Sequence, residues 1–195
     1  MTTAVAVHAA LEAGADAIGF VFAPSTRRVS PAIATDLATP ARGRCQCVAV
    51  MTHPQQHEVD EVIAGFRPDA LQTELEDYAT LSLPSQLQLL PVMRGMPPAE
   101  GAALPSRVLF EGPRSGSGEC ADWSTARRLA RQTQLILAGG LSELNVARAM
   151  AAVQPYGVDV SSGVESRPGI KDPAAIIRFI AAARTGGATS DRRIS

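Results

Sequence analysis

Two segments in the last third of the sequence carry the residue types that hold a phosphate. The first, Leu135-Ile-Leu-Ala-Gly139-Gly140-Leu-Ser142, ends an apolar run in two glycines and leads into a helical pattern. Glycine has no Cβ to keep a phosphate away from the main chain, and free N–H groups at a helix start supply donors and a positive dipole. A tight strand-to-helix turn uses the same two glycines with no ligand at all. The second segment, Val158-Asp-Val-Ser-Ser162-Gly163-Val-Glu165, also ends an apolar run in small residues, one strand-and-helix unit later. Two such loops side by side point to a phosphorylated small-molecule substrate contacting Gly139, Gly140, Ser162 and Gly163. Metal ligands do not assemble in the same way. His53 and His57 are four apart and can share a helix face, but no carboxylate or cysteine completes a ligand set, so both are expected at the surface. His8 has no evident partner. Cys45, Cys47 and Cys120 are expected to be core or surface thiols.

Loops of this kind need strands to end and helices to begin around them. Apolar and β-branched runs predict seven strands: Ala17–Phe22, Gln46–Met51, Ala70–Gln72, Leu87–Met93, Arg107–Phe110, Gln134–Ala138 and Gly157–Val160. Amphipathic stretches predict eight helices: Thr3–Ala13, Pro31–Ala38, Pro54–Phe66, Leu75–Leu83, a short one near Pro98–Ala103, Ser124–Arg131, Ser142–Val153 and Pro173–Arg184. Ser30 before Pro31 and Asp172 before Pro173 are good helix starts, and Gly14 suits the end of the first helix. Eight helices against seven strands, with a helix opening the chain, leave one strand missing from the front. One more strand would complete a (β/α)₈ barrel, whose last two loops commonly bind phosphate; an open sheet is the alternative. A single domain over residues 1–184 is expected, with a non-periodic, disordered tail at 185–195.

Composition narrows the function. The 195 residues are 46% hydrophobic and 19% charged, enough apolar material for a folded core. Lys and Arg total 18 against 19 acidic residues, a net charge of −1 with no block of one sign, which argues against a nucleic-acid partner. No apolar run reaches the roughly 18 residues of a membrane span, and no basic, then apolar, leader opens the chain, so a cytoplasmic protein without membrane partners is expected. Three cysteines at these spacings build no disulfide framework. Nothing in the sequence sets an oligomeric state.

The motifs together resemble the phosphoribosylanthranilate isomerase family. The matching stretches are Glu12-Ala-Gly-Ala-Asp-Ala-Ile-Gly-Phe20, Ser25-Thr-Arg27-Arg-Val-Ser-Pro31, Pro68-Asp-Ala-Leu-Gln72 and Ser115-Gly-Ser-Gly118 with Asp122-Trp123. They continue in Ala138-Gly-Gly-Leu141 with Asn145-Val146, and in Val158 to Glu165 followed by Pro168-Gly169. The resemblance implies a tryptophan-pathway barrel enzyme that performs an Amadori rearrangement, turning N-(5-phosphoribosyl)anthranilate into the corresponding aminoketose without cofactor or metal. A general acid protonates the ring oxygen to open the sugar to a Schiff base, and a general base removes the proton at C2. It also implies that Arg27 pairs with the anthranilate carboxylate through its planar fork and that Asp159 contacts polar groups of the substrate. Arg28 is expected to be a solvated charge.

The chain departs from the family at both catalytic groups. The family's base is a cysteine within Lys-x-Cys-Gly on the first strand; none of the three cysteines here matches it, and the alignment would put it just before Met1. Met1 is therefore expected to be an internal residue of a longer natural protein. The family's acid is an aspartate ending the sixth strand; here Val108-Leu-Phe-Glu111 puts Glu111 there, the same chemistry with one more methylene. An apolar barrel mouth would keep that carboxyl protonated. Where the family continues Leu-His-Gly after Gln72, this chain has Thr73-Glu74-Leu75, which leaves that loop without a carried-over role. Two other functions stay open: a different phosphosugar isomerase or epimerase, and a barrel remnant that binds a phosphorylated ligand without turning it over. Indole-glycerol-phosphate synthase is set aside, because it needs catalytic lysines and Lys171 is the sole lysine.

Overall fold

A computed structural model describes residues 1–95, 103–112 and 122–188. Its centre is a sheet of seven parallel strands in chain order: β1 (Ala17–Val21), β2 (Gln46–Val50), β3 (Ala70–Glu74), β4 (Gln88–Arg94), β5 (Arg107–Glu111), β6 (Gln134–Leu137) and β7 (Gly157–Val158). Each strand pairs with its successor, and β1 and β7 are the two ends of the array. This is the strand-by-strand arrangement of a (β/α) barrel, with seven of its eight strands among the described residues. The Met1 ammonium donates to the Gly19 carbonyl of β1, and Thr2 Oγ1 donates to the Gly169 carbonyl at 2.8 Å.

Among the described residues, six α-helices cover the outside: α1 (Ala4–Glu12), α2 (Pro31–Ala38), α3 (Gln56–Phe66), α4 (Trp123–Ala130), α5 (Val146–Val153) and α6 (Pro173–Ala188). Their starts follow capping chemistry. Thr3, Ser30 and Asp122 each accept a main-chain N–H with their side chain, and Asp172 Oδ1 accepts the Ala174 N–H at 2.9 Å. The strands are apolar on both faces because helices cover one and the barrel interior takes the other. Phe20, Phe22 and Phe66 fill the layer between sheet and helices, with ring centroids 5.1 and 5.4 Å apart. Val92, Leu109 and Ala138 form a separate small cluster with Leu90 and Ile136. Side chains alternate along a strand, so these residues define the interior face.

Several boundaries differ from expectation. The helix expected over Leu75–Leu83 is a 3₁₀ turn over Leu75–Ala79. Asp77 explains the change, since it accepts from Thr73 Oγ1 at 2.5 Å and bonds His53 Nδ1 at 2.9 Å, which pulls the chain back onto the strand it has just left. The helix expected from Ser142 begins at Val146. The last helix runs on to Ala188, four residues into the segment expected to be an aperiodic tail; 189–195 lie outside the described residues. A short antiparallel hairpin, β8 (Glu165–Arg167) with β9 (Ile170–Lys171), was not expected, and Gly169 at φ +84° makes its turn. The expected helix near Pro98–Ala103 and Cys120 also fall outside the described residues, except Ala103, which has no regular structure. No described helix is long and apolar enough to cross a membrane.

Candidate functional site

The loops at the C-terminal ends of the strands bring the predicted residues together in two groups. The first group is built by the loops after β6 and β7. Gly139 and Gly140 have φ of +85° and +66°, a conformation that a side chain would strain. Asn145 then holds the loop: its Oδ1 accepts the Ser142 N–H at 2.8 Å and its Nδ2 donates to the Gly140 carbonyl at 2.8 Å. That side-chain clamp replaces the first helical turn expected at Ser142. The following loop passes through a 3₁₀ turn, Ser162–Val164, and lies directly against the first. A Cβ on Gly163 would stand 1.9 Å from the Leu141 carbonyl oxygen, so only glycine permits this approach. Among the described residues, the N–H groups of Gly139, Gly140, Ser162 and Gly163 make no hydrogen bond to protein. The two loops form one surface of main-chain donors suited to a phosphate.

Beside them lies a charged network. Arg27 Nε and Nη2 donate to the two Glu165 carboxylate oxygens at 2.7 and 2.9 Å. Lys171 Nζ donates to Glu165 at 3.0 Å and to the Ser161 carbonyl at 2.7 Å. Burial pushes the Glu165 carboxyl up, but the hydrogen bonds from Arg27 and Lys171 outweigh it and bring it down to about 2. The Lys171 ammonium is lowered, chiefly by burial. Asp159 is solvent-exposed at the strand end. The hydration it loses among the surrounding strand ends raises its carboxyl against the pull of Lys171 and the Met1 ammonium. The fork of Arg27 expected for a substrate carboxylate is thus occupied by Glu165, which leaves Nη1 as its remaining donor group. Arg28 is exposed, as expected.

The second group stands on β3, β4 and β5. Glu111 ends β5, is 9% exposed, and lies opposite Arg94 in the strand register. Arg94 Nη1 donates to Glu111 Oε1, and Arg94 Nε donates to Glu74 Oε1 at 2.8 Å. Glu74, which ends β3, is 5% exposed. The mouth around Glu111 is therefore ionic, not apolar, which corrects the expected reason for keeping its carboxyl protonated. A cleft of about 310 Å³ opens beside the group, lined by Glu74, Arg94 and His53 among others. His53 is exposed as expected but has a partner, Asp77, and a left-handed backbone at φ +44°. His8 and His57 are exposed. Cys47 is buried, and burial pushes its thiol up to about 11; Cys45 is half-buried with its thiol also raised by burial, which suits structural thiols. No cluster of potential metal ligands occurs among the described residues.

Sequence reasoning missed Lys171, Glu165, Asn145 and Arg94 as parts of the site. Arg94 had a usable signal, since it is a charge that directly ends an apolar strand. Glu165 had none of that kind, because Arg27 reaches it from the other end of the chain, and Lys171 meets Glu165 and Ser161 only through the unexpected hairpin.

Comparison with known proteins bears on what these groups do. A family model described as N-(5′-phosphoribosyl)anthranilate isomerase matches residues 1–182. The enzyme of that name from Rhodopseudomonas palustris is 37% identical over 202 residues, covering 94% of this chain and 93% of the relative. The one from Mesorhizobium japonicum is 36% identical, with 94% and 92% covered. Among solved structures, phosphoribosyl anthranilate isomerase from Thermus thermophilus superposes with a TM-score of 0.78 at 27% identity, covering 95% of this chain and 96% of that one. A phosphoribosyl anthranilate isomerase in complex with reduced 1-(o-carboxyphenylamino)-1-deoxyribulose 5-phosphate gives 0.75 at 25% identity, with 95% of each chain covered.

Proposed function

Because this chain belongs to the N-(5′-phosphoribosyl)anthranilate isomerase family, we propose that it catalyses the Amadori rearrangement of N-(5-phosphoribosyl)anthranilate to 1-(2-carboxyphenylamino)-1-deoxyribulose 5-phosphate. It does so as a cytoplasmic enzyme of tryptophan biosynthesis. The observation that carries this reading is the contact between Gly163 and the Leu141 carbonyl, which fuses two glycine loops into one phosphate surface at the same strand ends as Glu111 and Asp159. The phosphate takes the free N–H groups of Gly139, Gly140, Ser162 and Gly163. Arg27, steadied by Glu165, offers its outer Nη1 to the anthranilate carboxylate. Asp159 faces the sugar hydroxyls.

Glu111 acts as the general acid. Its proton passes to the furanose ring oxygen, the C1–O bond breaks with its electron pair going to that oxygen, and the anthranilate nitrogen takes up the resulting positive charge as a Schiff base. The second step needs a general base to take the C2 proton, which leaves the enol that tautomerises to the ketose. In the family that second step belongs to a cysteine; no described cysteine of this chain lies on the interior face, since Cys47 packs into the helix-facing core. That observation favours one other reading, in which the loops bind the phosphate ester without turnover.

Turnover of the aminoaldose followed by anthranilate fluorescence, with calorimetric binding of the reduced product analogue, separates the two. The expected result is turnover by the wild-type chain and a loss of ~10²- to 10⁴-fold in kcat in Glu111→Gln, with analogue affinity kept. Analogue binding without wild-type turnover would establish the second reading. Near-normal turnover by Glu111→Gln would remove Glu111 from the acid role.

A further inference from the structure

The three charged residues Glu74, Arg94 and Glu111 end three consecutive strands and are joined by one guanidinium. We infer that Arg94, anchored by Glu74, is a positioning residue that fixes the Glu111 carboxyl for proton transfer and steadies the negative charge left on it. The inference rests on the acid role proposed for Glu111.

The geometry divides the guanidinium into two working ends. Nε and Nη2 both donate to Glu74 Oε1, which sets the plane of the fork. Nη1 is left pointing at Glu111, where it donates to Oε1. Oε2 of Glu111 has no hydrogen-bond partner among the described residues. A carboxyl held this way accepts through Oε1 while the proton leaves from Oε2. When it leaves, the new carboxylate already has a cation against it, so no reorganisation is needed at that moment.

The same arrangement explains how glutamate can stand where the resemblance leads one to expect aspartate. The extra methylene adds a rotatable bond, and an unheld glutamate would spend much of its time in unproductive rotamers. Arg94 removes that freedom. Glu74 in turn keeps Arg94 from folding onto Glu111 with its whole fork, which would engage Oε2 as well. Glu74 occupies the place that the family gives to histidine, so the two acidic departures from the family's pattern meet through one arginine. Backbone register enforces the contact: Arg94 pairs with Glu111 across β4 and β5, while Glu74 pairs across β3 and β4 with Val92, two residues before Arg94 and on the same face.

The test is steady-state kinetics on the full chain for Arg94→Met, Arg94→Lys, Glu111→Gln and the double variant Arg94→Met with Glu111→Gln. The expected outcome for Arg94→Met is a fall in kcat of ~10- to 100-fold with KM and analogue affinity within about threefold. Lysine keeps the charge without the fork and should restore part of the loss, to within ~10-fold of wild type. In the Glu111→Gln background, Arg94→Met should cost nothing further, because a residue acting only through Glu111 has nothing left to position. Unchanged kcat in Arg94→Met, or losses that multiply in the double variant, would overturn the inference. If Arg94→Met fails to fold, Arg94→Lys decides: an unaltered kcat refutes, and a lowered kcat at constant KM supports. Glu111→Gln separates the two levels, since full turnover there sinks the acid role itself, whereas its loss with an indifferent Arg94 sinks only the positioning role.

Discussion

Replacing Gly163 with alanine tests the phosphate surface at its tightest point. The added Cβ would lie 1.9 Å from the Leu141 carbonyl oxygen, 2.9 Å from its carbon and 3.2 Å from Ser142 Cα. All three atoms are backbone, so no side chain can swing away. Reaching an ordinary contact of ~3.5 Å requires the two loops to part by roughly 1.6 Å. Gly163 does not have a left-handed φ, so alanine meets the neighbouring loop and no added backbone strain. Overpacking of this kind costs ~1–3 kcal/mol in stability. The larger effect is on binding, because donors on the two loops must meet one phosphate, and a displacement of this size costs ~10²-fold. Calorimetry with the reduced product analogue measures the affinity, and thermal unfolding measures the stability. Gly157→Ala is the control: its Cβ would meet only Ile136 Cγ1 at 3.9 Å, and it should stay within ~0.5 kcal/mol of wild type. If Gly163→Ala binds the analogue as tightly as wild type, the two loops do not share one phosphate and the proposed site is wrong.

Two other outcomes follow from the same structure. Glu165 has a carboxyl near 2 in the folded chain against an ordinary 4.5, so the stability it contributes is full above pH about 4.5 and fades as pH falls toward 2. Arg27 and Lys171 both hold the ionised side chain, so urea unfolding between pH 6 and 3 should show a decline that Glu165→Gln flattens. An equally steep decline in that variant would assign the acid sensitivity elsewhere. Asn145→Ala removes both hydrogen bonds that hold the Gly140–Ser142 turn and should cost ~1–3 kcal/mol in stability and ~10-fold in analogue affinity; unchanged affinity would show that the turn keeps its shape without the clamp.

The fold was legible because parallel strands buried on both faces leave unbroken apolar runs, such as Val48-Ala-Val50 and Val108-Leu-Phe110, separated by well-capped helices. Local chemistry placed the starts of α2 and α6 at their prolines. It failed where a side chain took over the work of the backbone. Ser142 has the residue type of a helix cap, but Asn145 satisfies its N–H and delays the helix to Val146. Leu75–Leu83 has a helical spacing of apolar residues. Tyr78 is nonetheless drawn to the Leu71 carbonyl, and Asp77 to Thr73, contacts that a continuing helix would not make. The hairpin after Glu165 did carry a signal in Pro168-Gly169, a turn dipeptide flanked by residues too few to register as strands.

The site divides along the same line. Phosphate loops are local objects, in which the residues that shape the main chain are also those that contact the ligand, and a short segment is enough to recognise them. The environment of an acid is assembled across strands. Glu111 was identifiable as a strand-ending carboxylate, but its surroundings were misjudged as apolar because neighbouring strand ends supply them. The register that brings them together could have been anticipated. Thr73-Glu74, Met93-Arg94 and Phe110-Glu111 each close a run of buried residues with a charge, on strands that follow one another in a sheet whose order is the chain order. In such a sheet, consecutive strand ends are neighbours, so three successive terminal charges of alternating sign must meet. A charge that ends one apolar strand is a loop residue; charges that end three in a row are a constellation, and their signs state which one bridges the other two.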